Sequence, residues 1–308
     1  MTERGWIVDG IGSSSFEKLA SGLAGSELHS VLLEVMQRRA GARSPAEVLA
    51  QYRRDAFCAP AVVDLRTMLA IDSELLAASP DFEALDLSPV APLGACSTVA
   101  ITDQNRVLSA LRMTEIVSDP TNVLALERAL RLRARPMATA HLATSQRVIR
   151  TQPVPKQLGY SRHFRIYVLA SGGPEAEDHG FTVETVVLHV RTMLNALERL
   201  ERHGYAFGER RVEILASAER REVADRIGES FADIATRKQL EHAYYSGGLR
   251  FQIWVTAPDG SEVPLIDGGT FDWLAKLASN RRAVYVATGV GSQLVAVRFR
   301  RDENRAEA

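Results

Sequence analysis

The chain has 308 residues, 46% hydrophobic and 24% charged, a composition that suits one large domain with a buried core or two smaller ones. Its formal net charge of −1 provides no overall field that would favour nucleic acid, and its two cysteines, Cys58 and Cys96, are too few for a disulfide framework. No apolar run is long enough to span a membrane and the N-terminus lacks a signal-peptide pattern, so we expect a cytoplasmic protein without a membrane partner.

The first 59 residues are predicted to form an N-terminal arm and helical extension. Residues 1–25 are rich in glycine and serine and predict a loose segment with one short strand, "GWIVDG". Residues 26–55 predict two helical pieces that break at "AGARSP". Beyond the arm, residues 61–78 carry apolar side chains at helical spacing and predict an amphipathic helix.

The middle of the chain mixes strand and helix patterns. The segments "FEALDLSPV" and "STVAITD" predict strands, "NRVLSALR" predicts a strand or a turn, and "PTNVLALERALRLRA" predicts a helix. The segments "QRVIRTQP" and "RHFRIYVLASG" predict two antiparallel strands, and "FTVETVVLHVRTMLNALERLERHG" predicts a long helix.

The last third contains a strong hairpin signal. After a strand, "RRVEILAS", and two predicted helices, "ERREVADRIGESF" and "ADIATRKQLEHA", two strands flank the turn "APDG", where Gly260 tolerates positive φ. Alternation should place Phe251 and Ile253 on one face of the first strand and Gln252 and Trp254 on the other. Because the strands pair as hairpins with helices between them, we predict an α+β fold whose mixed, mostly antiparallel sheet is flanked by helices.

Six segments of the chain, taken in order, carry a recognisable set of motifs. They include "RVIRTQPVPKQLGYSRHFRIYVL", "AEDHGFTVETVVLHVRTML", "EHAYYSGGLRF", "GGTFDWL" and "ATGVGSQLVAV", preceded by the helix at 61–78. Together they resemble the catalytic core of class II aminoacyl-tRNA synthetases, in the histidyl-tRNA synthetase branch that includes the regulatory subunit of ATP phosphoribosyltransferase. The resemblance covers about residues 60–300, which leaves 1–59 as the extension and 301–308 as a polar tail.

The resemblance implies a ligand site beneath the hairpin, because the strand after the double tyrosine lines the amino-acid pocket in that family. Tyrosines offer a flat apolar face and a hydroxyl, and glycines let the backbone approach a ligand closely. The alternative is that these tyrosines are a half-buried strand edge and that the glycines only make a turn. The implied ligand-binding residues are Arg150, Gln152, Arg162, Tyr244, Tyr245, Gly268 and Gly269.

The same comparison predicts that the adenylation chemistry of the family is lost. Arg150 stands at the phosphate-binding arginine of motif 2, and Gln152 stands where the family has glutamate. The arginine of motif 3 is replaced by Ala296, with Arg298 two residues further on. Other family polar positions carry Ile166, Ala170, Leu240 and Thr270, so we expect a pocket that is less charged than a synthetase site and that suits an apolar or weakly polar ligand better than ATP. Since stabilisation of the transferring phosphate needs fixed cations, we predict no catalytic residue and no cofactor. The sequence has no HxxxH or CxxC spacing, so we also predict no metal site.

Two functions of different classes follow from the resemblance. The first is a non-catalytic paralogue of histidyl-tRNA synthetase that binds a small molecule or regulates an enzyme partner, as a homodimer formed through the helix at 61–78. The second is a divergent ligase that adenylates another carboxylate with Arg150, Lys156 and Arg162, which Arg298 pointing into the pocket would favour. A third, tRNA binding without catalysis, has only the arginine run at 128–135 behind it.

Two further points are expectations from the sequence. The segment that corresponds to the family's "LRPEGT" is either "ALR" at 110–112 or part of "VSDPTN" at 117–122. The chain ends directly after the motif 3 match, so we expect no anticodon-binding domain, which would need about 100 residues.

Overall fold

A computed structural model describes residues 3–154 and 159–301 of the chain. Helices occupy much of this part of the chain, with short 3₁₀ and π turns between them. The α-helices are α1 Glu3–Ile11, α2 Ser13–Glu17, α3 Gly25–Gly41, α4 Pro45–Arg54, α5 Leu65–Ala77, α6 Pro120–Ala134, α7 Gly180–Arg202, α8 Arg221–Glu229, α9 Trp273–Ala278 and α10 Ser292–Arg298.

The strands of the described residues form two sheets. They are β1 Glu83–Ala84, β2 Val90–Pro92, β3 Ser109–Ala110, β4 Thr114–Ile116, β5 Ala140–Ile149, β6 His163–Pro174, β7 Arg210–Ala216, β8 Ala235–Gln239, β9 Leu249–Thr256, β10 Glu262–Phe271 and β11 Ala283–Val290. The large sheet has eight strands in the order β1-β5-β6-β11-β10-β9-β7-β8, and the small sheet has the order β2-β4-β3.

The large sheet is mixed and mostly antiparallel, as the sequence predicts. Only the outermost pairs, β1 with β5 and β7 with β8, are parallel among its described strands. The hairpin of β9 and β10 turns at residues 257–260, where Gly260 has φ 81°. Helices cover both faces, which makes this an α+β fold with a three-layer core.

The two faces of the sheet carry different cores. On one face, α5, α7, α8 and α10 bury a large apolar cluster that includes Met193, Phe251 and Ile253. This confirms the alternation expected for β9. On the other face, α6 and α9 bury a smaller cluster around Leu124 and Trp273. The second face is therefore only partly filled by helices, and the candidate site lies there.

Most strongly patterned elements fall where the sequence places them. The helix predicted at 61–78 is α5, with Asp64 capping the amide groups of Arg66 and Thr67. The predicted "PTNVLALERALRLRA" helix is α6, and the two antiparallel strands before the long helix are β5 and β6. The long helix itself is α7.

The predicted strand "FEALDLSPV" is much shorter than expected, since only Glu83–Ala84 pairs before β2 begins at Val90. Three other predicted elements are wrong. The "GWIVDG" segment lies in α1, because a short alternating pattern forms a strand only where a neighbouring strand accepts it. The "STVAITD" segment begins in a π-helical turn, because the buried carboxylate of Glu115 accepts the amide groups of Gly94 and Cys96 and curls the chain inward. The polar "ADIATRKQLEHA" segment contains β8, an exposed edge strand parallel to β7.

The N-terminal helices differ from the rest of the molecule in burial. From residue 5 to residue 54, none of the residues is buried, and large apolar side chains such as Trp6, Met36 and Leu49 are exposed. None of the helices in the described part of the chain is long and apolar enough to cross a membrane.

Candidate ligand-binding site

A cavity of about 330 Å³ opens on the sheet face that carries α6 and α9. Its floor is formed by β6, β10 and β11, and its walls by the turn before β9, the start of α6 and the segment before β3. The lining residues are Cys96, Thr102, Arg106, Ser118, Asp119, Thr121, Arg150, Gln152, Ile166, Val168, Tyr244, Tyr245, Asp267, Gly268, Phe271, Ala287, Thr288 and Gly289.

The double tyrosine forms one wall, and each hydroxyl meets a different carboxylate. Tyr244 donates to Oδ2 of Asp119 at 3.4 Å, and Tyr245 donates to Oδ1 of Asp267 at 2.8 Å. Both rings pack edge to face with each other and contact Phe271. Burial is the main cause that raises the pKa of both tyrosines above 10, so both hydroxyls remain protonated donors at neutral pH.

Asp119 is positioned by the start of α6. It is the N-cap residue, and its Oδ1 accepts from the backbone amide of Thr121 at 3.1 Å and from the Thr121 hydroxyl at 2.7 Å. Pro120 occupies the first helical turn, where its missing N–H costs nothing. The capping bonds fix Oδ1 and leave Oδ2 facing the tyrosine wall. Of the two candidate segments, 117–122 lines the cavity, whereas none of 110–112 does.

Asp267 is held from behind by an arginine of the neighbouring strand. The guanidinium of Arg250 grips both carboxylate oxygens, with Nε–Oδ1 at 3.0 Å and Nη2–Oδ2 at 2.8 Å. The same guanidinium lies 4.9 Å from the ring centroid of Tyr245. Arg250, Asp267 and Tyr245 therefore fix one another, and 39% of the Asp267 side chain still faces open space.

The opposite end of the cavity is basic. Arg150 donates from Nε to the carbonyl of Ser118 at 2.9 Å and lies over the Phe164 ring at 5.1 Å. Its Nη2 is 3.9 Å from Oδ2 of Asp119, a loose ion pair. Arg106 lines the same end and is exposed. The cavity thus carries guanidinium groups at one end and a carboxylate at the other.

The wall before β3 is organised by a buried carboxylate. Glu115, only 2% exposed, accepts from the amides of Gly94 and Cys96 and from the side chain of Gln104, each at 2.9 Å. The Ser118 hydroxyl donates to Sγ of Cys96 at 3.3 Å, and burial raises the pKa of that thiol. Cys96 is therefore a protonated, packed side chain of the wall.

Five of the seven residues that the sequence suggests for the site line the cavity. Gly268 contributes its backbone, because a Cβ on it would point to Phe251 on the other face of the sheet. The five are Arg150, Gln152, Tyr244, Tyr245 and Gly268.

Arg162 and Gly269 do not line the cavity. The guanidinium of Arg162 donates to the backbone carbonyl of Thr151 at 2.8 Å and lies over the Phe57 ring, so it is engaged outside the cavity. Gly269 is covered by Tyr245, because a Cβ on Gly269 would come closer than 3.0 Å to the Tyr245 ring and to the Leu249 carbonyl. Its role is to admit the tyrosine.

The lining is more charged than the sequence suggests. A weakly polar pocket is expected from the residues that replace polar family positions, which are Ile166, Ala170, Leu240, Thr270 and Ala296. The site residues predicted from the sequence do not include Asp119 and Asp267, whose carboxylates line the cavity. The position of Asp119 could be predicted from the sequence, since an aspartate directly before a proline and a helical pattern is a typical N-cap residue. The role of Asp267 could not be predicted in this way, because its pairing with Arg250 depends on the register of β9 and β10.

The position that matches the motif 3 arginine, Ala296, and the nearby Arg298 lie outside the cavity lining. Ala296 packs against the large apolar core. Arg298 donates to Ser261 at 2.7 Å and to Asp259 at 3.3 Å, both at the hairpin turn. Lys156 lies outside the described residues. Within the part of the chain that the structure describes, no group of three or more His, Cys, Asp or Glu side chains could hold a metal ion.

The strand order, the hairpin and the helix after the glycine-rich strand together define the class II aminoacyl-tRNA synthetase fold. No family model matches the sequence, and none of the curated proteins matches it either. Solved structures of the histidyl-tRNA synthetase type do match the fold. The chain is similar to the ATP phosphoribosyltransferase regulatory subunit/histidyl-tRNA synthetase from Bacillus halodurans, with 15% identity, TM-score 0.56, and coverage of 75% of this chain and 78% of that one.

Two other structures place the chain in the same fold. A histidine–tRNA ligase subunit from Alicyclobacillus acidocaldarius shares 13% identity with TM-score 0.57, over 77% of this chain and 94% of that one. A putative threonyl-tRNA synthetase from Aeropyrum pernix shares 14% identity with TM-score 0.57, over 75% of this chain and 59% of that one. At these identities the comparison establishes the fold, and function has to be argued from the site.

Proposed function

We propose that this chain is a non-catalytic paralogue of the histidyl-tRNA synthetase type, which binds a small dipolar metabolite and acts as a regulatory subunit. One observation carries the proposal. The cavity keeps a fixed, oppositely charged lining, while the motif 3 position carries Ala296 in the core and Arg298 at the hairpin turn. The site therefore favours binding over phosphate transfer.

The charge arrangement defines the class of ligand. Arg150 and Arg106 suit a carboxylate or another small anion, and the Asp119 carboxylate beside Arg150 suits an ammonium group. A volume of about 330 Å³ lies at the lower end of the range for small-molecule sites. A free amino acid carries both charged groups on one carbon atom and is the simplest molecule that fits this end of the cavity.

The loss of cations argues against adenylate formation. Removing one preorganised donor from a charge-stabilising site costs about 3–4 kcal/mol in the transition state. With the motif 3 arginine absent and Arg298 paired elsewhere, Arg150 is the only cation at a family catalytic position that lines the cavity among the described residues. Leu240 stands where the family has a second arginine, and two such losses correspond to a rate lower by a factor of about 10⁴ or more.

The regulatory part of the proposal rests on shape and exposed surface. The structural likeness to a protein named as a regulatory subunit supports an enzyme partner. On α5, the helix that resembles the family's dimer element, Leu65, Leu69 and Leu76 are exposed. We propose that this stripe forms a two-fold homodimer in the cytoplasm, and light scattering on the eluted protein tests its mass.

The function is tested by thermal denaturation of the full chain with single amino acids, ATP-Mg²⁺ and both together. We expect at least one amino acid to raise the Tm, since only a ligand that prefers the folded state does so, and we expect ATP-Mg²⁺ to leave it unchanged. The Arg150→Ala variant should lose the amino-acid effect, whereas Arg226→Ala, at an exposed arginine outside the cavity lining, serves as the matched control that keeps it. Stabilisation by ATP-Mg²⁺ would favour the ligase alternative.

A further inference from the structure

The cavity contains a second carboxylate that binding of an amino-acid head group does not use. Asp267 lies on β10, three strands away from β5 in the order β5-β6-β11-β10, and Arg150 directly follows β5. Three strand spacings contribute about 14 Å across the sheet. Along the strands Asp267 is level with Thr144, and Arg150 lies further toward the end of β5, so the two backbones are separated in both directions. A ligand whose head group sits between Asp119 and Arg150 therefore extends toward Asp267 only if it has a long side chain.

The Asp267 carboxylate is built to accept one more hydrogen bond. A carboxylate offers about four acceptor positions, and Arg250 and Tyr245 occupy three of them. The remaining lone pair belongs to Oδ2, on a side chain that is 39% exposed in the cavity lining. Because Arg250 and Tyr245 prevent the carboxylate from rotating, this acceptor has a fixed direction.

We infer that Asp267 is a specificity-determining residue, which selects an α-amino acid with a long, cationic side chain. The inference rests on the proposed function, since it assigns the head group to Asp119 and Arg150. The ligand's terminal guanidinium or ammonium donates to the open position on Oδ2 of Asp267. A side chain of equal length that lacks the positive charge forms only a neutral hydrogen bond, and a side chain without an N–H group forms none.

The ordinary explanation for Asp267 is a self-sufficient ion pair with Arg250. Such a pair could be buried away from any opening, as Glu213 is beneath Arg211 and Lys238 on the same sheet. Asp267 instead lines the cavity. The Arg250 guanidinium holds the carboxylate from the neighbouring strand, and 39% of the Asp267 side chain remains exposed in the cavity lining.

The test is calorimetric titration of the full chain with L-arginine, L-citrulline, L-norleucine and L-histidine. L-citrulline matches L-arginine in length but has a neutral urea group. We expect L-arginine to bind about tenfold more tightly than L-citrulline, which corresponds to about 1.4 kcal/mol, with L-norleucine and the shorter L-histidine weaker still. Equal binding of L-arginine and L-citrulline to the unaltered protein would overturn the inference, without any variant being needed.

The Asp267→Asn variant should bind L-arginine and L-citrulline equally and retain the weak binding of the head group. Asp225→Asn is the matched control, because Asp225 also pairs with an arginine, Arg237 at 2.7 Å, outside the cavity. That variant should keep the tenfold preference. If no amino acid binds at all, the proposed function fails and the inference fails with it. If neutral or acidic amino acids bind best, the proposed function stands and the inference is wrong.

Discussion

The tyrosine wall and the segment from Gly291 to α10 resemble the same synthetase family in sequence, and the structure treats them differently. The tyrosine wall holds two carboxylates in fixed directions around an open cavity. The start of α10 presents Ser292 and Gln293 as buried residues, and Ala296 and Arg298 point to the core and to the hairpin turn. The difference teaches that two segments with a similar resemblance to the family can contribute differently to the cavity, since one lines it with fixed carboxylates and the other packs its side chains into the core and the hairpin turn.

Glycine substitutions test this difference with the largest expected effect. A Cβ at Gly269 would clash with the Leu249 carbonyl and the Tyr245 ring, and the backbone atom cannot move aside. We expect Gly269→Ala to lower the free energy of unfolding by about 3 kcal/mol or more, measured by urea denaturation.

The matched control lies in the other region. At Gly291 the nearest contact of a Cβ would be Leu294 at 3.4 Å, and φ is −70°. Gly291→Ala should change the free energy of unfolding by less than about 1 kcal/mol. If the two variants were equally stable, the tyrosine wall would be less tightly packed than described.

The cavity wall before β3 is expected to depend on Glu115. In Glu115→Gln the side-chain NH₂ group replaces one carboxylate oxygen. The backbone amide of Gly94 or of Cys96 then faces another donor and loses its acceptor. The free energy of unfolding should fall by about 2–3 kcal/mol. Glu262→Gln is the control, since Glu262 is exposed and forms only a loose ion pair with Arg211 at 3.8 Å. Its free energy of unfolding should stay within about 0.5 kcal/mol of that of the original protein. A loss confined to Glu115 would show that this carboxylate shapes the wall.

A pH effect is expected from the layer beneath the cavity floor. His189 is fully buried, with Nδ1 2.7 Å from the Thr288 hydroxyl and Nε2 2.7 Å from the Ser171 hydroxyl. Burial, and to a smaller extent His141, lowers the pKa of His189 from 6.5 to about 3. The folded state then binds fewer protons than the unfolded state, so stability is present above pH 6.5 and falls as the pH drops toward 3.

Between pH 6.5 and pH 5 the loss from His189 should be about 2 kcal/mol in the free energy of unfolding. Urea denaturation at the two pH values measures it. Replacing the exposed His203, the C-cap residue of the same helix, by glutamine should leave that difference unchanged. A chain equally stable at both pH values would contradict the assignment of a neutral, buried His189.

The smallest effect concerns the hydroxyl that fixes Asp267. Tyr245→Phe removes one hydrogen bond of 2.8 Å and leaves the ring, so stability should fall by about 1 kcal/mol and the preference for L-arginine should weaken. Tyr160→Phe, at an exposed position, should change neither quantity. An unaltered preference in Tyr245→Phe would show that Arg250 alone holds the carboxylate.

The sequence predicts much of the fold because its long elements have one dominant period. The α6 and α7 helices and the β9–β10 hairpin each combine a clear pattern with a clear start or turn, so their bounds follow closely. The failures at α1 and β8 concern short or polar segments, where the neighbouring structure decides between helix and strand.

The site was less predictable than the fold because its charges come from separate elements. Family resemblance leads to Arg150 and the two tyrosines, which occupy matching positions in the chain. Asp267 and Arg250 pair through the register of β9 and β10, and Glu115 acts on backbone amides about 20 residues away. Such contacts depend on tertiary structure that local patterns do not contain.

We propose that the cavity binds a small molecule and does not activate it with ATP. The most direct measurement is amino-acid-dependent exchange of pyrophosphate into ATP by the full chain, made with the amino acid that raises the Tm most. We predict no exchange above the level without protein, together with retained binding of that amino acid. Clear exchange with that amino acid, abolished by Arg150→Ala, would contradict the account and identify an adenylate-forming enzyme.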